Sequence, residues 1–404
     1  MSLSEIQYPE SEDDVARIVS QAHAAGLPIE VRGGGTKIGL GRPSQSASVL
    51  SLAKLTGITN YDPSELVMAA RAGTPLHEIE AALAANNQML TFEPMDHRPL
   101  LGVDGEPTIG GVFAGNISGP RRIQAGAARD NLLGVRFVNG SGEIVKSGGR
   151  VMKNVTGLDL VKLLAGPWGT LGVLCEVIFK VLPKPETAVT IAVSGLNDAE
   201  AAEAMAAAMA MSVEVSGAAH LPLSVAYRFG DILKGEATTV LRLEGLTPSV
   251  DVRTERLVVE MRRRGEVSVL DAEATRDLWR DIRDVKPFAV QRTKPVWRVS
   301  VAPSAGHQLV AALRLKTGVD AFYDWQGGLV WLQMEAEPEA DLVRQYIKAL
   351  GGGHATLVRA DAATRAAVPV FEPQPRALDA LSRRIKDQFD PGGILNPGRM
   401  TASM

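Results

Sequence analysis

The sequence predicts an α+β protein of two domains with a short returning tail, and three observations carry that reading. Its 404 residues, 45% of them hydrophobic, exceed what one core usually organises. Short Val, Leu and Ile runs alternate with helical spacings along the whole chain instead of settling into one period. Between 106 and 183, glycines such as Gly110, Gly111, Gly115, Gly119, Gly169 and Gly172 punctuate those runs. The backbone there must repeatedly approach something closely while the runs hold it on strands, the pattern of a cradle for a buried ligand.

The elements follow in order. Ser11 opens an acidic first turn, SEDD, and Val15, Ile18, Val19 and Ala22 continue at helical spacing to a stop at Gly26. Residues 27–31 read as a strand, and Arg32-Gly33-Gly34-Gly35-Thr36-Lys37 follows. Three glycines after a strand let backbone N–H groups converge on an anion, with Arg32, Thr36 and Lys37 as further donors; a plain glycine turn is the alternative. Strands are expected at 50–52, 57–61 and 66–71, then a helix over 76–86 with Thr74 as cap and Pro75 at its first position. The loop 92–99 carries two acids and His97; it suits a general base, and equally an ordinary solvated loop.

Residues 108–116 suggest a glycine-led helical turn whose free N–H groups face an acceptor, with Asn116 and Ser118 offering side-chain hydrogen bonds. A hairpin is expected from 132–138 through Asn139-Gly140-Ser141-Gly142 into 143–146, and a strong strand over 173–181. Beyond it, strands are expected at 190–194, 223–229, 239–244, 295–301, 321–325 and 329–334. Helices are expected from Asn197 to about Met211, over 247–264 and over 271–284. The Ala/Met-rich helix after Asn197 reads as core filling before any partner surface.

Composition excludes several classes. A net charge of -3 without basic runs leaves no footprint for nucleic acid. The acidic start and the lack of any window near ~20 apolar residues imply a cytosolic chain without direct membrane insertion. Cys175 is the one cysteine, which rules out an internal disulfide or an iron–sulfur cluster held by this chain, and reads as a packed core thiol. Neither GxGxxG nor a Gly-Lys dipeptide occurs, so a nicotinamide-type Rossmann fingerprint and a P-loop both lose support.

Several ordered motifs then carry a resemblance: RGGGTK at 32–37, TIGG at 108–111 with Ala114 and Asn116, Arg129-Asp130, LLGV at 132–135, GGRVMKNVTGLDLVKLL at 148–164 and GTLGV at 169–173. They resemble the FAD-binding domain of the vanillyl-alcohol oxidase and para-cresol methylhydroxylase (PCMH) flavoenzymes, in its D-lactate and glycolate dehydrogenase branch. FDPGGILNPGR at 389–399 resembles that branch's C-terminal signature. The resemblance implies a two-subdomain PCMH-type domain over 1–184, a ferredoxin-like α+β cap over 185–372, and a tail, 373–404, returning to the flavin.

Carried over residue by residue, the resemblance places Arg32, Gly33, Gly34, Gly35, Thr36 and Lys37 on the FAD pyrophosphate. Gly110, Gly111, Ala114, Asn116, Ser118 and Gly119 would follow the ribityl and ring side, with Pro94 at the same wall. Asp130, Gly149, Asn154, Gly157 and Val177 would line the adenosine and diphosphate region, and Asn396 would meet the ring from the tail. Non-covalent FAD is implied, since tethered relatives have His where Thr36 and Lys37 stand.

One departure qualifies the resemblance. The cap hairpin at 324–331 lacks the metal-binding histidine of standalone D-2-hydroxyacid dehydrogenases, and the six histidines show no HxH, HxxH or HxxxH spacing. No metal site is expected. Trp297, Arg298, Tyr323, Trp325 and Gln326 remain on that side, with Arg298 and Trp325 as weak catalytic candidates against a reading as packed cap residues. The chain resembles the metal-site-less FAD-binding subunits of bacterial glycolate oxidases. That implies a homologous catalytic flavin subunit and an iron–sulfur subunit as partners, glycolate as the complex's substrate, and electron relay or a second oxidation site as this chain's role. An independent hydroxyacid dehydrogenase and a purely structural subunit are the alternatives.

Overall fold

The computed structural model describes residues 5–44, 46–150, 158–233 and 235–402. Strands β1 (Glu5–Gln7), β2 (Ile29–Arg32) and β3 (Ser48–Ser51) form a parallel sheet in the order β1-β3-β2. Helix Glu12–Ala25 connects the first two strands. The Ser11 hydroxyl accepts from Asp14 N at its start, and Gly26 closes it at φ 62°, as the acidic first turn and the glycine stop predict.

Next come β4 (Ile58–Asp62), β5 (Val67–Arg71), β6 (Gln88–Met89), β7 (Leu132–Val138), β8 (Ile144–Gly148), β9 (Val173–Lys180) and β10 (Leu182–Pro183). β4-β5-β9-β7-β8 form an antiparallel sheet, and β6 pairs β10. β9 is central, and apart from Glu176 and Lys180, which are only partly buried, its residues are apolar and buried. Cys175 is buried within it, and burial pushes its thiol far above the usual range. Helix Leu76–Ala84 begins one residue later than its expected cap implies. Pro75 occupies the cap position, and Thr74 instead turns its hydroxyl to the Arg71 carbonyl at 2.7 Å.

The second half is one eight-stranded sheet built from β11 (Thr187–Ser194), β12 (Gly217–Leu221), β13 (Thr238–Gly245), β14 (Glu266–Leu270), β15 (Val296–Ser300), β16 (Val319–Asp324), β17 (Leu329–Met334) and β18 (His354–Arg359). Its order, β14-β11-β13-β12-β16-β17-β15-β18, is two βαββαβ halves joined edge to edge where His220 pairs Tyr323. The ferredoxin-like unit therefore occurs twice. The strand expected at 223–229 is instead a helix, Leu223–Ala226, running into a tight turn, Tyr227–Leu233. Pro222, at φ -59°, starts that helix, and its carbonyl accepts from Val225 N and Ala226 N. The real strand, β12, is the preceding Gly-Ala-Ala-His-Leu, whose small residues gave no strand signal. In the Ala/Met helix, Asp198–Ala210, Met205 faces the core with Ala201, Ala204 and Ala208, while Ala199, Ala206 and Ala210 face outward.

The tail closes the molecule. In helix Arg376–Phe389, Lys386 is buried and its ammonium binds the Asp390 carboxylate and the Thr170 and Leu395 carbonyls. Asp390 in turn accepts from Ile394 N and Leu395 N. Leu395 bridges Ile29, extending the first sheet beside β2. Among the described residues, no helix is long and apolar enough to cross a membrane.

Candidate cofactor cleft and adjoining chamber

Two adjoining spaces lie between these layers. A cleft of about 790 Å³ runs between loop 32–38, helix Ile109–Ala114 and loop 167–172. A chamber of about 1140 Å³ lies beside it under β15–β18, with residues 115–120 as its floor. Trp168 lines both, so it stands at the junction.

The cleft is built from backbone. Gly35 has φ 84°, a left-handed conformation that a side chain strains, and nothing lies within 4 Å of where its Cβ would point. Among the described residues, the N–H groups of Gly35, Thr36 and Lys37 donate to no protein acceptor. The expected free N–H groups of helix Ile109–Ala114 are not free. Ile109 N donates to the Thr74 carbonyl, Gly110 N to the Ala72 carbonyl and Gly111 N to the Thr108 hydroxyl. Anion binding in the cleft therefore falls to the loop and not to this helix.

Lys37 supplies the charge. Among the described residues, its ammonium has only the Thr36 hydroxyl, at 3.4 Å, as hydrogen-bond partner. Burial brings its pKa down to about 8, with Asp96 opposing and Arg399 adding to the fall. Arg32 is held in a bidentate pair by Glu30 at 2.8 and 2.7 Å, which leaves Lys37 as the cation of the loop free to meet an anion. Arg399 crosses the cleft wall, donating to the Lys37 carbonyl at 2.9 Å with its guanidinium 5.9 Å from the Trp168 ring.

Asn396 fixes the geometry from the tail. Its Oδ1 accepts from Val31 N at 2.7 Å and its Nδ2 donates to the Trp168 carbonyl at 2.7 Å. It lies 1% exposed, at φ 43°, beneath the cleft and not on its surface. One side chain thus spans from the entry of the glycine loop to the junction loop.

The chamber owes its lining to strand parity. β15 turns Arg298 and Ser300 toward it and Trp297 away, and β16 turns Asp324 toward it and Tyr323 away. Trp297 is fully buried in the cap core with its indole N–H on the Pro338 carbonyl, and the Tyr323 hydroxyl binds Asp198. Trp325 does face the chamber and donates to the Gly119 carbonyl at 2.9 Å. The guanidiniums of Arg298 and Arg122 lie 4.8 and 4.3 Å from its ring centroid. Burial, and then the Arg122 charge, lowers Arg298 to about 10. Burial raises Asp324 to about 7. His97 is held neutral, its pKa down to about 3 through burial and the Lys37 charge, and its Nδ1 has no hydrogen-bond partner among the described residues. The two acids of its loop are engaged: Glu93 pairs Arg242 at 2.9 Å, and Asp96 pairs Arg98.

Comparison with known proteins fits these spaces. Residues 4–148 match a family model described as an FAD binding domain. The chain is 35% identical over 392 residues to glycolate oxidase subunit GlcE of Escherichia coli K12, covering 96% of each. The chain belongs to the GlcE family of glycolate oxidase subunits. Members of this FAD-linked oxidoreductase group also include Bacillus subtilis glycolate oxidase subunit GlcD, 25% identical over 98% of this chain and 88% of that one. The fold is shared with 4-ethylphenol oxidase from Gulosibacter chungangensis at a TM-score of 0.74 and 15% identity, over 98% of this chain and 89% of that one. It is shared with p-cresol methylhydroxylase at 0.70 and 17%, over 98% and 88%. These are the PCMH-type flavoproteins that the motifs resemble.

Against this GlcE-family frame, the structure brings the sequence-derived positions together unevenly. Residues 32–37 with Gly110, Gly111 and Ala114 line the cleft; Asn116, Ser118 and Gly119 line the chamber. The side chains of Asn116 and Ser118 are engaged by Arg129 N and Ala128 N. Pro94 is buried beside Met95 and lines neither space. Asp130 accepts from Ala127 N and so caps a short helix, Val177 is fully buried in β9, and Gly149 sits in a separate depression with Lys146 and Glu176. Asn154 and Gly157 lie outside the described residues. Sequence reading passed over Trp168, Arg122, Asp324 and Arg399. Arg399 closes the FDPGGILNPGR signature, and Arg122 follows the Ser118-Gly119-Pro120 turn, which were the available signals.

Proposed function

We propose that this chain is the FAD-holding subunit of a heteromeric glycolate oxidase, converting glycolate to glyoxylate beside a homologous catalytic flavin subunit and an iron–sulfur subunit. It passes electrons from the partner flavin towards the iron–sulfur subunit. The carrying observation is the loop 33–37, with three unpaired N–H groups and the Lys37 ammonium on one cleft wall. That donor set fits the diphosphate of FAD. Residues 1–184 hold the cofactor, 185–372 cap it, and 373–404 return to brace it through Asn396. Binding is non-covalent, consistent with a described cleft lining without His, Cys or Tyr. The chain works in the cytoplasm and reaches a membrane only through its partners.

FAD, when bound, supplies a two-electron acceptor. The protein's own contribution is to orient it by backbone dipoles and to screen it with Trp168. A second reading, a substrate oxidation site in this chain itself, is favoured by one observation: among the described residues, the chamber presents the Arg298 and Arg122 guanidiniums without an ion-paired carboxylate. Glycolate-dependent dye reduction by the isolated chain and by the chain with its copurifying partners separates the two. Full activity only with partners supports relay; the isolated chain matching the complex overturns it.

A further inference from the structure

Arg298 and Arg122 pack on one indole ring, 4.8 and 4.3 Å from its centroid, so their guanidinium carbons are separated by at most about 9 Å. Neither guanidinium makes a hydrogen bond or an ion pair among the described residues. The other chamber arginines are engaged, Arg129 by the Ala165 carbonyl and Arg283 by Asp284. Asp324 is the one carboxylate among the described lining residues. Its Oδ1 already accepts from Trp325 N, and with its pKa raised to about 7 it carries only part of a negative charge at neutral pH. His97 and His354 are both pushed toward the neutral form by burial, so they neither add to nor cancel the arginines' charge. Two like charges held side by side, with only the partly charged Asp324 near Arg298, repel, and an anion reaching both relieves that repulsion.

We propose that the chamber is a dicarboxylate site in which Arg298 and Arg122 each take one carboxylate of a small two-acid ligand against the Trp325 ring. A planar guanidinium matches a carboxylate bidentately, and a spacing of no more than about 9 Å between the guanidinium carbons is within the span of two carboxylates joined by a short carbon chain. A ligand with a single carboxylate satisfies one arginine and leaves the other unpaired, so the site discriminates by charge count. Trp325 also links the site to the floor of the chamber, because its indole N–H holds the Gly119 carbonyl. Ligand binding therefore bears on the floor loop, residues 115–120. This inference rests on the reading of the chamber as the ligand side of the FAD cleft.

The test is calorimetric titration of the FAD-loaded chain with malonate and succinate, against propionate, butyrate and inorganic phosphate. The dicarboxylates are expected to bind at least tenfold more tightly than the monocarboxylates and more tightly than phosphate. Arg122 is exposed, so Arg122→Gln folds, and it is expected to abolish the preference while leaving monocarboxylate binding within twofold. Arg298→Gln is expected to weaken both classes, with retained flavin absorbance reporting that the variant is folded. Equal binding of one- and two-acid ligands, phosphate matching succinate, or a preference that survives Arg122→Gln overturns the proposal. Flavin content is read from the same samples, so loss of the cofactor reading appears as missing absorbance and not as altered ligand discrimination.

Discussion

Asn396→Ala removes the brace between tail and cleft. It leaves Val31 N and the Trp168 carbonyl, both engaged at 2.7 Å in the native protein, without side-chain partners. Each buried polar group left unpaired costs about 1–3 kcal/mol, so about 3 kcal/mol is a reasonable total. Both freed groups flank the cleft, and water reaches them only if the glycine loop and the junction loop part. Most of the cost therefore falls on the state that binds FAD. Two-thirds of it corresponds to an FAD Kd raised roughly 30-fold, at about 1.4 kcal/mol per factor of ten. The assay is titration of flavin-stripped protein with FAD, followed by flavin fluorescence, with circular dichroism confirming the fold. Asn396→Asp keeps the acceptor for Val31 N but sets a carboxylate oxygen against the Trp168 carbonyl, and it too is expected to weaken binding. A folded Asn396→Ala variant that binds FAD as tightly as the parent refutes the reasoning.

Three further outcomes are expected. Gly35→Val, at φ 84°, costs roughly 1–2 kcal/mol in backbone strain and lowers FAD occupancy, whereas Gly39→Ala, with open space around it and no positive φ, leaves occupancy unchanged; flavin absorbance per chain checks both. Lys37 has its pKa lowered to about 8 in the free protein, and a bound diphosphate raises it. FAD affinity is therefore constant well below pH 8 and falls by up to tenfold per unit above it, a dependence that Lys37→Met flattens. Asp390→Asn leaves the Lys386 ammonium buried without its counter-charge and costs about 3–5 kcal/mol, seen as a lower urea midpoint.

The parts of the fold carried by local signals were legible: the Ser11 cap and Gly26 stop, the Asn197 cap, the 139–142 hairpin turn and the apolar β9 all stand where residue chemistry puts them. What depends on distant partners was not. The duplicated βαββαβ sheet closes on one residue pair, His220 with Tyr323, which leaves no periodic trace. Helix Ile109–Ala114 has the glycines of an anion-binding turn, yet carbonyls of Ala72 and Thr74 reach its N–H groups first. β12 was hidden by small residues, and Pro222 redirected the apolar run after it into a helix. In the site, the glycine loop was readable because its requirement is local. Arg122 and Arg298 come from opposite halves of the chain and meet only over Trp325. Strand parity, invisible without register, decided that Arg298 faces the chamber while Trp297 packs in the core.

The flavin itself offers the most direct test. The chain purified under native conditions, then precipitated with acid, is predicted to carry one FAD per chain and to release all of it to the supernatant. A colourless protein, or flavin that stays with the pellet, contradicts a non-covalent FAD held by the loop from Gly33 to Lys37.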